Sequence, residues 1–459
     1  MLRQLDPPAA SVPRFGFVLL GGSLNGAQIR DIRLANELHR RGYPVRVWWV
    51  VDRPRSSPLN AEIPERWLFH SFRYATGRVS ASLDLAGKVS CRLLSDNLRS
   101  ALAQRIPWLV GGTLRGLIQI VCRGVETDQG LIRRFARELT HEGITHLMET
   151  VEILAPFAEA AKQFVPHHLK CVVTFQGYET YAPYAARLGL EQKMYQRIRV
   201  AVESSDFPAI SVSDQYSERV HREIGVPLAS LQTVYPGVPV TAPMDKDRAR
   251  ELVQHQFADF DPDVPLISYL GRQDSEKGID LLLYAAQILR DAGFRFQLAI
   301  CGPTAFGSRY SVACRQIANI LKLPVMSSNY VTSDVRSALF RMSYCLVYPS
   351  IHSEPFGMVP VEAMVQGTPC IVPDTGGVAQ LPFQGSLQGG LTFRSWDSGD
   401  LAGQLQLLLT DATLHRRLSN QAPHVAAHYS IERFADRLLD AMSLPHAPSA
   451  TNPEHRRAA

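Results

Sequence analysis

Short apolar runs along this chain alternate with longer stretches in which apolar residues recur every three to four positions. FGFVLL (15–20), VRVWWVV (45–51), THLMET (145–150), KCVVTF (170–175) and PAISVS (208–213) are of the first kind. Apolar, β-branched and aromatic runs of this length, set between turn residues, predict strands of a sheet covered on both faces. From Ala27 to Arg41, Ile29, Ile32, Leu34, Ala35 and Leu38 share one side of a predicted helix that Gly42 ends. GGSLNG separates the first strand from that helix, so the segment predicts a βαβ unit with a glycine-rich turn. A second series follows: PLISYL (265–270), RFQLAIC (295–301), PVMSS (324–328), YCLVYPS (344–350) and PCIVP (369–373), each leading into a helical stretch. The intervening VYPGVPVTAPMDKDRAR is rich in Pro and Gly.

This rhythm predicts an α/β fold of two Rossmann-like domains facing across a cleft, joined near 236–262. Ligand then belongs at the carboxyl ends of the strands, between the domains. The expected division is an N-terminal domain over 14–236, interrupted by a helical insertion at about 60–140, and a C-terminal domain over 237–428. A last helix at 429–443 is expected to pack back toward the first domain, with flexible tails at 1–13 and 444–459.

Composition narrows the class. With 46% hydrophobic and 20% charged residues in 459, the chain has ample material for cores and is not a disordered polymer. No apolar, charge-free run reaches the length of a membrane span; the best, Ile106 to Cys122, is broken by Arg115 and by glycines. MLRQLDPPAASVP lacks the apolar core of a signal peptide. The seven cysteines include no C-x-x-C pair, which speaks against a disulfide framework or a zinc site and for a reducing, cytoplasmic compartment. Net charge is +5, and the segment 98–137, with seven arginines against Glu126 and Asp128, carries an excess of the same size. Interleaved with Ile106, Trp108, Leu109 and Val110, it predicts peripheral contact with an anionic membrane; the plain alternative is a solvated arginine face. Nothing resembles a nucleic-acid-binding motif, and no nucleic acid is expected as partner.

Candidate chemistry concentrates in two segments. In HSEPFGMVPVEAMVQGTPCIVPDTGG (352–377), Glu354 and Glu362 stand eight apart. Pro360 suits a first helical turn and Gly367 a helix end, so Glu354 falls on the preceding loop and Glu362 in the first turn. The amides of Phe356, Gly357, Met358 and Val359 then point out of a helix N-terminus, a natural site for an anion such as a diphosphate. In YLGRQDSEKGIDLLLYAAQIL (269–289), Arg272 follows a strand and Lys277 opens a helix. Two cations there make a clamp for phosphates; the competing reading pairs Lys277 with Glu276 or Asp280 at the surface.

Together, G-R-x-x-x-x-K and E-P-F-G-x-x-x-x-E resemble a family 4 retaining glycosyltransferase with the GT-B fold. LAICGP (298–303), PSIHSEPFG (349–357) and DTGG (374–377) fit the same family. The resemblance implies that Arg272 and Lys277 hold the diphosphate of a nucleoside-diphosphate sugar and stabilise the leaving group. It implies that Glu354 binds donor-sugar hydroxyls near the anomeric carbon and Glu362 the ribose. Phe356 to Val359 would offer amides, and Gly22 would let the N-terminal domain approach. Two departures stand out: Gln176 replaces a histidine common in the family, and YPGVP (235–239) replaces an N-G at the domain junction. Arginine and lysine take the place of a metal, so neither metal nor cofactor is expected. The expected activity is transfer of a hexose, with retention, to an acceptor hydroxyl on a sugar, glycan or lipid-linked molecule. The alternatives are an inactive nucleotide-sugar-binding or regulatory protein and, more remotely, a dinucleotide oxidoreductase, for which GGSLNG has the wrong form.

Overall fold

A computed structural model describes residues 12–20, 26–50, 58–69, 129–149, 152–187, 189–304 and 308–447. The first part runs β1 (Phe15–Leu20), α1 (Gly26–Arg40), β2 (Val45–Val50), β3 (Glu65–Phe69), α2 (Gln129–His141), β4 (His146–Glu149), α3 (Ala155–Lys162), β5 (Lys170–Phe175), α4 (Ala182–Arg187), α5 (Glu191–Glu203), β6 (Ala209–Ser211), α6 (Asp214–Ile224) and β7 (Leu231–Thr233). Its strands form a seven-stranded sheet in the order β3-β2-β1-β4-β5-β6-β7. All of its pairings are parallel.

The second part runs α7 (Lys246–Gln256), β8 (Leu266–Leu270), α8 (Ile279–Asp291), β9 (Gln297–Cys301), α9 (Arg309–Ile320), β10 (Val325–Ser328), α10 (Ser333–Met342), β11 (Cys345–Val347), α11 (Met358–Val365), β12 (Cys370–Pro373), the hairpin β13 (Phe383–Gln384) and β14 (Leu387–Gln388), β15 (Gly390–Phe393), α12 (Ser398–Thr410), α13 (Ala412–Ala426) and α14 (Ile431–Ala441). Its six-stranded sheet has the order β10-β9-β8-β11-β12-β15.

Side-chain alternation explains why each strand is apolar on both faces. Phe15, Phe17 and Leu19 of β1, with Val45, Val47 and Trp49 of β2, share a core with α1 and α14. Val18, Trp48 and Val50 turn the other way, into a core with α2 and α3. In the second sheet Ile267 and Tyr269 pack with α8 and α12, while Leu266 and Leu270 join α7, α10 and α11.

The chain passes between the sheets twice, and the two passages touch. Val238 and Ser430 form a parallel bridge. The Val238 amide donates to the Tyr429 carbonyl at 2.9 Å, and the Ile431 amide donates to the Val238 carbonyl at 3.0 Å. A Cβ at Gly237 would lie 2.6 Å from the Ile431 Cα, so only glycine allows this approach. Beyond the bridge α14 returns to the first sheet. Arg41 pairs with Asp436 at 2.6 Å, and Phe434 and Leu438 share the core of Ile32 and Leu38.

Several expectations change. The break in rhythm at 60–140 is not all insertion: Glu65–Phe69 is the edge strand of the sheet, and Gln129–His141 is a sheet-covering helix. Residues 444–447, expected to belong to a flexible tail, are tied down, and the rest of that tail lies outside the described residues. The Tyr43 hydroxyl donates to the Pro445 carbonyl, and His446 meets Asp440 at 2.8 Å. On α1, Ile29 is half-buried, while Arg30 and Asp31 are buried beside Ile32 and Leu34. Most of the arginine-rich segment lies outside the described residues. Of its described members, Arg134 donates to the Leu68 carbonyl and Arg133 lies over the Phe164 ring. Among the described residues no helix is long and apolar enough to cross a membrane.

Candidate active site

The loops after β6, β11 and β12 bring the two sheets together at their carboxyl ends. Ser213 caps α6 by accepting from the Tyr216 amide at 3.2 Å, and its hydroxyl donates to the Pro355 carbonyl across the domains at 2.6 Å. The Gly377 amide donates to the Glu354 carbonyl at 2.8 Å. His352 and Glu179 meet across the same boundary at 3.5 Å.

Glu354 is not a solvated loop acid. Its Oε2 lies 2.5 Å from the Lys277 Nζ, with side-chain exposures of 15% and 8%. Lys277 closes a single 3-10 turn, Ser275–Lys277, and α8 begins only at Ile279. Gly278 separates them with φ 61°, and a Cβ there would stand 2.1 Å from the Pro349 carbonyl oxygen. Glycine therefore lets the Lys277 turn pack against the segment before Glu354. The Lys277 ring contact is Tyr348, at 5.8 Å. Burial disfavours both charges, but each partner outweighs it: the Lys277 ammonium is raised above its ordinary pKa and the Glu354 carboxyl is held below its own. The pair is charged through the neutral range. Arg272, at the end of β8, holds Asp274 at 2.8 Å and also pairs with Glu276. The surface pairing of Lys277 with Glu276 is secondary, at 3.8 Å.

Helix α11 starts at Met358 with Gly357 at its N-cap, φ 92°. Glu362 is thus its fifth residue, in the second turn and not the first, because the helix begins two residues before Pro360. Gly357, Met358 and Val359 do stand at the N-terminus. Phe356 is anchored by its ring, 6.3 Å from Tyr235 and 5.6 Å from Tyr429, one aromatic from each chain passage.

Glu362 has a partner that sequence reading missed. Arg33 of α1 reaches across to its Oε1 at 2.6 Å, and Arg336 of α10 lies 3.5 Å from its Oε2. The Arg33 guanidinium also faces the Met358 sulfur at 3.6 Å. Only the place of Arg33, on the exposed side of an amphipathic helix, could have flagged it.

Gln176 belongs to a different group. Its amide donates to Asp31 Oδ2 at 2.9 Å, and Asp31 pairs with Arg30 at 2.6 Å. Burial pushes the Asp31 carboxyl up to about 6. Gly22 lies outside the described residues. Nearby Glu152, fully buried after β4, has its carboxyl driven by burial from an ordinary 4.5 to about 8, with Glu179 adding to the effect. The folded state then holds that proton more tightly than the unfolded chain. The stability linked to Glu152 is therefore full at low pH and lost as pH rises from about 4.5 through about 8. Glu152→Gln is expected to flatten the fall in melting temperature between pH 5 and 9. Parallel falls in both proteins would refute this.

The family described as Glycosyl transferases group 1 matches residues 252–425. Among relatives, a D-inositol 3-phosphate glycosyltransferase of Rhodococcus erythropolis is 28% identical over 270 residues, which is 57% of each chain. The alpha-D-kanosaminyltransferase of Streptomyces kanamyceticus is 28% identical over 177 residues, 38% of this chain and 45% of that one. The chain thus spans about half the length of the curated relatives it matches. Among solved structures, Anabaena HepE in complex with UDP and glucose superposes with a TM-score of 0.69 at 16% identity, covering 94% of this chain and 99% of the other. Sucrose-phosphate synthase from Thermosynechococcus elongatus gives 0.67 at 16%, covering 94% and 98%. At such identities the likeness is one of fold, and the two parallel sheets are those of the GT-B architecture. The chain has the GT-B fold, and residues 252–425, which carry Arg272, Lys277, Glu354 and Glu362, match the Glycosyl transferases group 1 family.

Proposed function

We propose that this chain is a glycosyltransferase that moves a hexose from a nucleoside-diphosphate sugar to an acceptor hydroxyl with retention of anomeric configuration. The observation that carries the reading is the buried Lys277–Glu354 pair, joining two segments 77 residues apart where the loops of the two sheets meet. A cation there matches the charge that develops on a departing diphosphate, and a carboxylate beside it accepts from sugar hydroxyls. Arg272 and the amides of Phe356, Gly357, Met358 and Val359 complete the anion site, and Glu362 takes the ribose. In this reading the anomeric C–O bond to phosphate breaks while the acceptor oxygen bonds to the same carbon on the same face. The acceptor proton passes to the departing phosphate oxygen. Arginine and lysine supply the positive charge, so no metal is invoked.

HepE, solved with UDP and glucose, makes UDP-hexoses the first donors to test. A screen of UDP-, GDP- and ADP-hexoses for donor hydrolysis, and then for transfer, decides the matter, with the product anomer read by NMR. Donor binding by calorimetry without turnover against any acceptor extract would support the inactive binding protein instead, the reading that Gln176 favours. An inverted product would refute retention alone.

Arg33 gives a further expectation. If Glu362 receives the ribose, the donor must displace Arg33 from it. A part-buried ion pair of about 1 kcal/mol corresponds to about fivefold in affinity. Arg33→Ala is therefore expected to tighten donor binding several-fold. Weaker binding would mean that Arg33 itself holds the donor.

A further inference from the structure

We propose that Glu149, Glu159 and Cys171 form a structural binding site for one zinc ion between the β4–β5 pair and α3. Spacings of ten and twelve residues make no metal motif in the sequence. The fold gathers these residues nonetheless: one ligand atom from each lies within 4.8 Å of the others. In the parallel register Glu149 stands opposite Val173 and Leu147 opposite Cys171, which puts Glu149 and Cys171 on one face of the sheet. Helix α3 covers that face and contributes Glu159.

Glu149 points to a ligand. It is 0% exposed, and neither carboxylate oxygen has a hydrogen-bond partner among the described residues. A buried carboxylate in that state requires either a proton or a cation. The nearby ammonium, Lys162, is drawn to Asp206 at 2.6 Å, lies 3.9 Å from Glu159 and makes no hydrogen bond to Glu149. One lysine among Glu149, Glu159, Asp206 and Cys171 leaves an excess of acid that a divalent ion would offset.

The donor set selects the metal. One thiolate and two carboxylates suit zinc, with bonds of about 2.3 Å to sulfur and about 2.0–2.2 Å to oxygen. Magnesium and calcium prefer oxygen alone. Drawing the three side chains inward by about 1 Å gives tetrahedral edges at those bond lengths. Water takes the fourth position from the Glu159 side, where the side chain is 14% exposed. Cys171 is already oriented: its amide donates to Asp206 at 3.1 Å, and Ser205 donates to its carbonyl at 2.8 Å. Zinc would displace the thiol proton and any proton on the carboxyls. It would fasten β4, α3 and β5 to one another and take no part in glycosyl transfer.

The test titrates the metal-free full-length chain with Co²⁺ and then Zn²⁺. One Co²⁺ per chain is expected, with near-ultraviolet thiolate-to-cobalt charge transfer and intense visible bands of a tetrahedral site, both erased by Zn²⁺. Cys171→Ser should lose the charge-transfer band. Glu159→Gln, the mildest change for folding, should weaken Co²⁺ binding at least about tenfold. Absence of stoichiometric binding, or a band that survives in Cys171→Ser, would overturn the site and leave Glu149 as a buried carboxylic acid. Should Cys171→Ser fail to fold, unchanged affinity in Glu159→Gln overturns it equally. No arm reads glycosyl transfer, so its failure is distinguishable from failure of the proposed function.

Discussion

Lys277→Ala is expected to lower turnover by about 10²–10³-fold, the usual cost of removing one preorganised donor from a developing oxyanion. The lysine is nearly buried, and its ammonium is held by Glu354 at 2.5 Å, so it pays little reorganisation as charge moves onto the diphosphate. The substitution has a second effect. It leaves Glu354 buried without its cation, which destabilises by about 3–5 kcal/mol when one partner of a buried pair is removed. Melting temperature and kcat must therefore be read together. The double variant Lys277→Ala/Glu354→Gln removes the orphaned charge, and is expected to recover much of the stability and none of the activity. Recovery of both would mean that the pair only holds the loops together. Arg272→Ala tests the other cation of the clamp; because Arg272 pairs with the buried Asp274 as well as with Glu276, melting temperature is read beside kcat there too. Near wild-type kcat in both single variants would rule the clamp out.

Glu354→Gln and Glu362→Gln are expected to separate kcat from KM. Glu354 sits against the cation that would meet the leaving group, so its loss should fall mainly on kcat, by about two orders of magnitude if its contacts form chiefly in the transition state. Glu362 lies a turn into α11 and would hold the ribose, a part of the donor that does not react. Its loss should fall mainly on donor KM. Removing a carboxylate that Arg33 and Arg336 both contact also frees two guanidiniums. Combining Glu362→Gln with Arg33→Ala should therefore add nothing to the KM effect, since both act on one interaction. Equal kcat and KM changes in the two glutamate variants would dissolve the division of roles.

The two segments that carry Arg272, Lys277, Glu354 and Glu362 were legible because their pattern is local. Pro360 lies in the first turn of α11 and Gly367 just past its end, and Arg272 and Lys277 lie just past one strand. What escaped was non-local. Arg33 and Glu362 are 329 residues apart, and nothing in an arginine on an amphipathic helix names its partner. Arg30 and Asp31 are buried as an ion pair, with Gln176 donating to Asp31 and the Arg30 guanidinium over the Phe434 ring. A pattern read by hydrophobicity assigns both to solvent. ERWLF failed as a strand signal because Glu65 and Arg66 make it look like surface chain, yet it is an edge strand, where charge is ordinary. GLTF at β15 was too short and too close to glycines to be separated from a turn. The pairing of Glu354 with Lys277, rather than of Lys277 with its neighbours, needed the turn at Gly278.

The touching chain passages at Val238 and Ser430 bear on how such a protein can be recombined. Helix α14 belongs to the first sheet by packing and to the end of the chain by sequence, so the first folding unit is discontinuous. A chimaera made by a single cut near 237 takes one passage from each parent. It sets a foreign residue against Gly237, where a Cβ has 2.6 Å to the Ile431 backbone. It also splits Tyr235 from Tyr429 around Phe356. Exchanging the first sheet between relatives therefore calls for two cuts, with the N-terminal parent supplying that sheet, both passages and α14. The recipient contributes only the block between them.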